Sequence, residues 1–401
     1  MPGVMTARGL PSMTALGCET HNFSKLSIAM MRSFSIATAA SVRTSRCAFI
    51  VMMCWPRIRK MVIVIQVRLK NMTSILCDND NLLGFWYPVA RSVDVMAAPV
   101  SAKLLGRNLV VWRDGNGTVS ALPDRCTHRE AKLSLGYVKD NCLVCPYHGW
   151  EFAEDGKCVR VPSATEGIPV PPKAHIEPFG CQDRYGLVWV CIGTPKAPIP
   201  DMPWDNDPKF RRLNTPVDTW QCSATRMVDN FLDITHFPFV HVNSFGRAQE
   251  TSVPKVELGP LDDHFFGYSY EVNANNASVG AIASGQSGGV VHRKMSSGFN
   301  LPLICRSTIE YDTGLSHILL LVSTPIDDVT SYFTFVVWRS DDFAIPSDEV
   351  LRLDFMIGAE DKRMLETFDT VLPLDQTSLV SVQADKCSVE WRRQFAALLN
   401  G

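Results

Sequence analysis

Apolar and polar positions alternate differently in the two halves of the chain. Between residues 83 and 195, short β-branched and aromatic runs are separated by Gly, Asn and Pro, as at Asp114-Gly-Asn-Gly117. Runs bounded in this way predict strands and hairpins, and they lie at residues 104–120, 142–145, 150–153 and 185–192. We therefore predict an all-β domain over residues 83–195.

The second half combines strand and helix periodicities. A Pro-rich stretch over residues 195–208 is typical of a linker. Beyond it, alternating runs predict four strands, at residues 267–272, 307–311, 317–322 and 332–338. A helical region follows, and strands followed by helices predict an α+β domain with an antiparallel sheet over residues 209–401.

Residues 1–71 differ in composition from the rest. They contain ten Lys or Arg and one acid, Glu19, which gives a net charge of +9. Their two apolar runs, residues 47–55 and 61–67, are each shorter than the ~20 residues of a membrane-spanning helix. The composition is that of a transit-like segment or of an extension outside the folded protein, with Met72 as the working start; we favour a disordered extension.

Composition and charge restrict the class of protein. The whole chain carries −2, so the residues after 71 carry −11, and an acidic body argues against nucleic acid as a partner. Thirteen cysteines without the spacing of a secreted disulfide framework indicate a reducing compartment. We predict a cytoplasmic protein, organellar if residues 1–71 are a transit peptide.

A first motif combines cysteine and histidine in two short loops. Cys126-Thr-His128 is followed, after sixteen intervening residues, by Cys145-Pro-Tyr-His148. One sulfur and one nitrogen from each loop suit a [2Fe-2S] cluster in which histidines replace two of the four cysteines. A zinc ion is the alternative, although zinc modules more often pair C-x2-C with H-x3-H.

A second motif runs from Asn230 to His241. Asp233 and His236 are three residues apart and would share a face of a helix, whereas His236 and His241 are five apart and would not. Pro238 between them favours a local break that could bring both imidazoles to one ion. Two histidines with one carboxylate form the facial triad of non-haem iron oxygenases.

The third ligand is sought in the helix predicted over residues 353–368. Asp361 falls within its apolar stripe, and a carboxylate on a buried face is costly unless it is paired or binds a metal. Glu360 is the next candidate, and an ion pair with an Arg is the alternative role for Asp361. Three other acids of this region are predicted to face solvent: Asp354, Glu366 and Asp369.

Together the two motifs resemble those of the catalytic α-subunits of Rieske non-haem iron oxygenases, from about residue 83 to the C-terminus. Segments such as Arg184-Tyr-Gly-Leu-Val-Trp189 are most similar to the homomeric branch, which includes dicamba and vanillate O-demethylases, caffeine N-demethylase and saxitoxin-pathway hydroxylases. The resemblance implies a Rieske [2Fe-2S] domain over residues 83–195 and a helix-grip catalytic domain with a mononuclear iron over residues 209–401.

The resemblance also assigns residues. It implies that Cys126 and Cys145 bind one cluster iron and that His128 and His148 bind the other. The catalytic iron would be held by three side chains: His236, His241 and Asp361. Asp233 would link His148 of one subunit to His236 of the next in a head-to-tail homotrimer. Asn230 and Asp233, the other polar positions of the second signature, are the candidate catalytic residues.

The function we expect is a monooxygenase that hydroxylates or oxidatively demethylates a small, mostly apolar and aromatic substrate with O2. No G-x-G-x-x-G fingerprint occurs, so NADH would act through a separate flavin reductase, with or without a ferredoxin. Ring cis-dihydroxylation is the alternative within the class. An electron carrier would leave the second motif unexplained, and a zinc-stabilised binding protein would contain zinc and no acid-labile sulfide.

Overall fold

The computed structural model describes residues 75–96, 98–276, 278–375 and 377–401, together with the backbone of residues 37–39, 49–55 and 58–65. The chain divides into two units, Met1–Thr73 and Ser74–Gly401, and each is described by itself. Within the described ranges no helix has both the length and the apolar character needed to cross a membrane.

The first unit contains a small antiparallel sheet. Its strands, in the same order in space as along the chain, are β1 (Ala37–Ala39), β2 (Phe49–Trp55) and β3 (Ile58–Ile65). β2 and β3 coincide largely with the two apolar runs of this segment, whose β-branched residues favour strand pairing. The other residues of the segment lie outside the described ones, and the disordered or transit-like extension predicted for residues 1–71 stays a prediction.

Ten strands form the first part of the second unit: β4 (Tyr87–Arg91), β5 (Val100–Leu104), β6 (Arg107–Arg113), β7 (Val119–Pro123), β8 (Tyr137–Lys139), β9 (Cys142–Val144), β10 (Glu151–Phe152), β11 (Cys158–Arg160), β12 (Gly180–Arg184) and β13 (Leu187–Cys191). They make three antiparallel sheets, with strand orders β5-β6-β7, β12-β13-β4 and β11-β10-β9-β8. An all-β region was predicted here, and its strands at residues 104–120, 142–145, 150–153 and 185–192 are found.

Tight hairpins set the register of these sheets. Each of three two-residue connections has positive φ at both positions: Leu105-Gly106, Asp140-Asn141 and Tyr185-Gly186. Two consecutive residues of this kind form the turn whose twist matches that of the flanking strands. The Asp140-Asn141 turn joins β8 to β9, the strand that leads directly into Cys145.

Eight strands and five helices complete the second unit. The strands are β14 (Arg211–Asn214), β15 (Asp218–Trp220), β16 (Gly259–Pro260), β17 (Phe266–Asn275), β18 (Val290–Asn300), β19 (Ile304–Tyr311), β20 (Ser316–Pro325) and β21 (Ser331–Arg339). The helices are α1 (Ala224–Phe231), α2 (Phe237–Val240), α3 (Ser278–Ser284), α4 (Ser347–Leu365) and α5 (Lys386–Asn400). All eight strands belong to one antiparallel sheet of order β14-β21-β20-β19-β18-β17-β16, with β15 also paired to β21.

β18 lies in the middle of this sheet and was not predicted. Its inward positions include Val291, Arg293, Met295 and Ser297, all of which are buried. Because an arginine and a serine stand on the buried face, the strand lacks the apolar alternation by which half-buried strands are recognised. The predicted α+β fold class is nevertheless the one observed.

Helices pack against the large sheet and its loops, with α1 on β19 and β20. α5 buries Trp391 and Phe395 completely, and the indole Nε1 of Trp391 donates to the Pro302 carbonyl at 3.0 Å. α4 begins six residues earlier and ends three residues earlier than the predicted helix over residues 353–368. Aromatic and aliphatic burial of this kind anchors helices that are too polar overall to be stable alone.

The two regions of the second unit are packed directly on each other. The Thr324 hydroxyl donates to the Pro88 carbonyl at 2.8 Å, and the Leu105 amide donates to the Pro325 carbonyl at 2.8 Å. In the Pro-rich stretch between them, Ile199 and Met202 are buried and pack with Ile318 and Leu320 of β20, so these two residues attach the stretch to the sheet. The domain limits 83–195 and 209–401 stay predictions.

Candidate active site

Two loops of the same construction carry the Cys and His residues of the first motif. Cys126 follows β7, and the Glu130 amide donates to its carbonyl at 2.9 Å. Cys145 follows β9, and the Gly149 amide donates to its carbonyl at 3.0 Å. Each loop ends on a residue with positive φ, 60° at Glu130 and 72° at Gly149. The backbone therefore turns back in both loops just after a cysteine and a histidine.

The sulfur atoms of these loops are covered and the imidazoles are more accessible. Cys126 and Cys145 are 1% and 2% exposed, and burial, with Cys145 adjacent, raises the pKa of the Cys126 thiol to about 11. The rings of His128 and His148 lie 4.4 Å apart, and His128 stacks on Trp150 at 4.6 Å. The two thiols are thus adjacent in the protein interior, and the two imidazoles are adjacent nearer the surface.

The spacing of these four side chains argues against a single metal ion. In the part of the chain that the structure describes, one group of three or more His, Cys, Asp or Glu brings its ligand atoms within 4.8 Å of one another, and it contains none of these four. A tetrahedral zinc ion would need all four ligand atoms within roughly 4 Å, given bond lengths of about 2.0–2.3 Å. A binuclear cluster with sulfur on one iron and nitrogen on the other fits the donor set.

The group that does converge is His236, His241 and Asp361. The two Nε2 atoms lie 3.1 Å apart, and Oδ1 of Asp361 lies 3.6 Å from Nε2 of His236 and 3.3 Å from Nε2 of His241. Ligands at a right angle, with bonds of about 2.1 Å, are about 3 Å apart. The spacing and the donor set therefore fit a facial triad with open positions.

Local chain geometry brings the two histidines together. α1 ends at Phe231, so the helix expected to carry Asp233 and His236 on one face does not form there; both lie in the turn before α2. His236 immediately precedes α2 and His241 immediately follows it. Pro238 stands in the first turn of α2, where its missing amide is not needed. The helix is interrupted before this proline, between Phe231 and Phe237, whereas the sequence predicted a break between the two histidines.

In each of the two histidines, Nδ1, the ring nitrogen that faces away from the triad, contacts a carboxylate. Asp233 Oδ2 lies 3.2 Å from Nδ1 of His236, and Glu360 Oε2 lies 3.0 Å from Nδ1 of His241. Ser244 donates its hydroxyl to the same Glu360 oxygen at 2.7 Å. A proton on each Nδ1 leaves the Nε2 lone pair directed into the site. Glu360, considered as an alternative third ligand, thus contacts Nδ1 of His241, on the side of the ring that faces away from the triad.

The electrostatics of the group favour a cation. Burial opposes ionisation of Asp361, but hydrogen bonds and charge from both histidines hold its pKa well below the usual range. Burial lowers the pKa of His236, yet Asp233 and Asp361 together raise it to about 9. An excess of carboxylates around the imidazoles stabilises positive charge at this position, which is a further fit to a divalent metal.

Asn230 and Asp354 also reach this site. The Asn230 amide donates to Oδ1 of Asp361 at 3.1 Å, so the predicted catalytic candidate contacts a candidate metal ligand. Asp354, expected to face solvent, instead has a side chain that is 10% exposed and lies 3.3 Å from Nε2 of His317. The position off the apolar stripe therefore faces a polar partner on β20 instead of solvent. Glu366 and Asp369 are exposed, as predicted.

A cavity of about 120 Å³ opens beside the triad. Its walls are mostly apolar and aromatic, and they include Phe231, Phe237, Phe245, Met295, Ile309 and Leu319. A dry cavity of ~150 Å³ holds one benzene ring, so this cavity is on the scale of a single small ring. Arg293, which sequence reasoning missed, lines the same cavity.

Comparison with known proteins agrees with these two centres. The family described as Rieske [2Fe-2S] domain matches residues 85–175, and the family described as vanillate O-demethylase oxygenase C-terminal domain matches residues 220–401. Methylxanthine N1-demethylase NdmA of Pseudomonas putida is 32% identical over 338 residues, 80% of this chain and 90% of that protein. The chain belongs to the Rieske oxygenases. The predicted family, with its Rieske [2Fe-2S] domain and its oxidoreductase class, is confirmed.

Solved structures extend this agreement to the fold of the Rieske oxygenase. The structure of Pseudomonas putida NdmA with caffeine superposes with a TM-score of 0.69 at 29% identity, covering 80% of this chain and 92% of that one. Dicamba monooxygenase bound to dicamba has a TM-score of 0.67 at 21% identity, covering 80% and 98%, and supports the fold alone. The predicted β Rieske domain followed by an antiparallel catalytic domain is confirmed.

Proposed function

We propose that this Rieske oxygenase is a monooxygenase that removes a methyl group from nitrogen or oxygen of a small aromatic substrate. The observation that carries the proposal is the triad of His236, His241 and Asp361, which opens onto a one-ring apolar cavity in a chain that also has a Rieske domain. Relatives named as methylxanthine N1- and N3-demethylases support the reaction type.

We assign the metal centres from the donor sets described above. Cys126, His128, Cys145 and His148 would hold the [2Fe-2S] cluster, and His236, His241 and Asp361 would hold one ferrous ion. When bound, the cluster supplies single electrons and the ferrous ion supplies dioxygen activation. The overall reaction consumes O2, two electrons and two protons, and it yields water and a hydroxymethyl group that breaks down to formaldehyde and the demethylated product.

The protein's own side chains prepare this chemistry. Asp233 and Glu360 accept hydrogen bonds from the Nδ1–H groups of the two histidines, and so they hold the imidazoles in the tautomer that presents Nε2. Asn230 orients the Asp361 carboxylate through its amide. The aromatic wall of the cavity excludes water and positions a planar substrate.

Electron supply requires partners beyond this chain. NADH would act through a separate flavin reductase, with or without a ferredoxin. We also infer a head-to-tail homotrimer in which Asp233 couples His148 of one subunit to His236 of the next. The Asp233 side chain, 25% exposed beside His236, leaves a carboxylate edge accessible for such a bridge.

The test is product analysis with a panel of methoxylated and N-methylated aromatics. The chain, loaded with iron and supplied with a generic reductase and NADH, should release formaldehyde and a product lighter by one CH2 in mass spectrometry. Asp361→Ala should abolish turnover, whereas Asp369→Ala, at an exposed acid beyond the same helix, should not. A product that gains two oxygens and two hydrogens would instead establish the alternative, ring dihydroxylation.

A further inference from the structure

Arg293 is a buried charge on the wall of the active-site cavity. It lies on β18 between Val291 and Met295, and strand alternation turns all three inward. The residue is 2% exposed and lines the cavity together with the triad. Arginine is almost never this buried unless it is paired.

No protein group neutralises this guanidinium. Among the described residues, none accepts a hydrogen bond from its Nε or Nη2, and no carboxylate oxygen lies within 4.0 Å of it. Its contacts are two aromatic rings, Phe245 with a centroid 5.2 Å from Cζ and Tyr311 with a centroid 5.4 Å away. Aromatic faces compensate only a small part of the cost of a buried charge.

The other charged groups at the cavity have partners of their own. Asp361 is engaged by the two histidines. Asp354 lies 3.3 Å from Nε2 of His317, whose Nδ1 accepts a hydrogen bond of 2.9 Å from Arg339. The imidazole therefore connects this acid to a second arginine.

Arg339 has a counter-charge as well, since its Nε lies 3.0 Å from Oδ2 of Asp341. Each of these acids therefore has a polar neighbour other than Arg293. Arg293 is the charged group on the cavity wall whose Nε and Nη2 have no partner among the described residues.

We propose that Arg293 binds a carboxylate on the substrate, so that the substrate class is a methoxylated or N-methylated aromatic carboxylate. This inference rests on the proposed function and names its substrate. A planar guanidinium can donate two parallel hydrogen bonds to a carboxylate, and it would exchange an unpaired buried charge for a neutral pair. A neutral carbonyl would leave the charge uncompensated.

The position of Arg293 relative to the triad suits a substrate of one ring. Phe245 contacts both the triad and Arg293: its ring stacks on His241 with centroids 4.9 Å apart, and it also lies beneath the guanidinium. Arg293 and the triad are therefore separated by no more than one aromatic side chain. A benzoate held by Arg293 can therefore present a ring substituent toward the triad, since both line the same cavity.

The test compares acids with their neutral amides. Anaerobic calorimetry on the iron-loaded enzyme at pH 7.5 would give dissociation constants for 2-, 3- and 4-methoxybenzoate and for the three matching methoxybenzamides. We expect at least one acid to bind tenfold or more tightly than its amide, since hydrogen bonds between charged groups are about twice as strong as neutral ones. Equal affinities for all three pairs, or no binding of any acid at millimolar concentration, would overturn the proposal.

Variants of Arg293 and of its neighbour Lys294 test whether Arg293 causes the preference for acids over amides. Arg293→Met keeps an unbranched apolar stem without the guanidinium and should remove the preference for acid, and Arg293→Lys should retain part of it. Lys294→Met removes the same charge from the next position of β18, which is exposed on the opposite face, and should change nothing. A preference that survives in Arg293→Met would refute the assignment even if the wild-type enzyme favours acids.

The formaldehyde assay separates this inference from the proposed function. Acid-selective binding that depends on Arg293, without formaldehyde from any bound acid, would leave the inference standing and contradict demethylation. Formaldehyde from neutral aromatics, with no preference for acids in binding, would support demethylation and refute the proposal that Arg293 binds a substrate carboxylate.

Discussion

At the scale of single residues, the histidines of the triad are oriented by acids that do not reach the metal position. Glu360 contacts Nδ1 of His241, and its other oxygen, Oε1, is buried without a hydrogen-bond partner. Such a carboxylate sets the tautomer and the direction of a ligand, and its loss commonly costs a factor of about 10–100 in metal affinity. Glu360 is therefore a positioning residue of the candidate iron site.

We predict that Glu360→Ala weakens ferrous iron binding about 10- to 100-fold, while Glu360→Gln, which keeps an oxygen acceptor, weakens it less. Titration of the apo enzyme with Fe(II) against a competing chelator would measure both. Asp348→Ala, at an exposed acid at the start of α4, serves as the control. Unchanged affinity in Glu360→Ala would show that the Ser244 and His241 contacts do not orient the ligand.

A second prediction concerns pH and Asp229. Burial raises the pKa of this carboxyl to about 6, with Arg392 at 3.3 Å opposing the shift. In the unfolded chain the pKa is about 3.9. Between about pH 4 and 6, the folded state thus binds more protons than the unfolded state, and the free energy of unfolding falls as pH rises through this window.

The variant Asp229→Asn mimics the protonated carboxyl at every pH. Its melting temperature should exceed that of the wild type at pH 7.5, by the equivalent of about 1 kcal/mol, and the difference should shrink toward pH 5. Calorimetry of both proteins, with the exposed Asp369→Asn as control, would measure it. A difference that grows as pH falls would have the wrong sign for a raised pKa.

At the scale of elements, α4 contributes residues to the candidate site from three successive turns. Asp354, Gly358 and Asp361 all line the cavity, one helical turn apart or nearly so, and Glu360 projects toward His241. Residues three or four apart share a helix face, so one rigid element sets both a ligand and a cavity wall. Gly358 is the weak point of this helix because glycine has the lowest helix propensity apart from proline.

Gly358→Ala should stabilise the protein and reduce substrate affinity at the same time. A Cβ added there meets no atom within 4 Å, and alanine gains about 0.8–1.0 kcal/mol of helix propensity, but the methyl group occupies cavity space. Thermal melts and the dissociation constant of a bound aromatic would show both effects. The reciprocal control, Ala359→Gly at an exposed position, should lower stability and leave binding intact; parallel effects on binding would refute the idea.

At the scale of the whole molecule, the proposed trimer makes electron transfer depend on contacts between subunits. Three chains of 44.6 kDa should elute together in light-scattering measurements. Within one subunit, Asp233 already accepts from Thr235 and contacts His236. A bridge to a neighbouring subunit would add a third partner to the same carboxylate.

Asp233→Ala, supplied with enough Fe(II) to fill the site despite the lost contact to His236, should keep its sulfide content but slow oxidation of the reduced cluster in a single turnover with substrate and O2. Asp233→Asn keeps one acceptor oxygen and should be intermediate. Following the visible absorbance of the cluster during the turnover measures the effect independently of product yield. Normal rates in Asp233→Ala would contradict the bridging role.

Much of the candidate site was predictable because its candidate ligands are dense in sequence. Cys126, His128, Cys145 and His148 occupy two short loops, and His236 and His241 flank one proline, so local spacing was enough to select them as candidates. Asp361 became a candidate because an ionisable residue interrupts an apolar helical stripe, and the ligand roles stay predictions. The strands bounded by turn residues, and the α+β class, followed from the same short-range periodicity.

Other features depended on contacts between distant segments. The sequence did not reveal β18, because its buried face carries Arg293 and Ser297, and it could not show that Arg293 has no counter-charge. Asp354 pairs with His317, and Glu360 lies behind His241; these relations join residues far apart in the chain. Local patterns report which side chains share a face, whereas pairing and burial of charge arise only when the sheet and α4 close around one cavity.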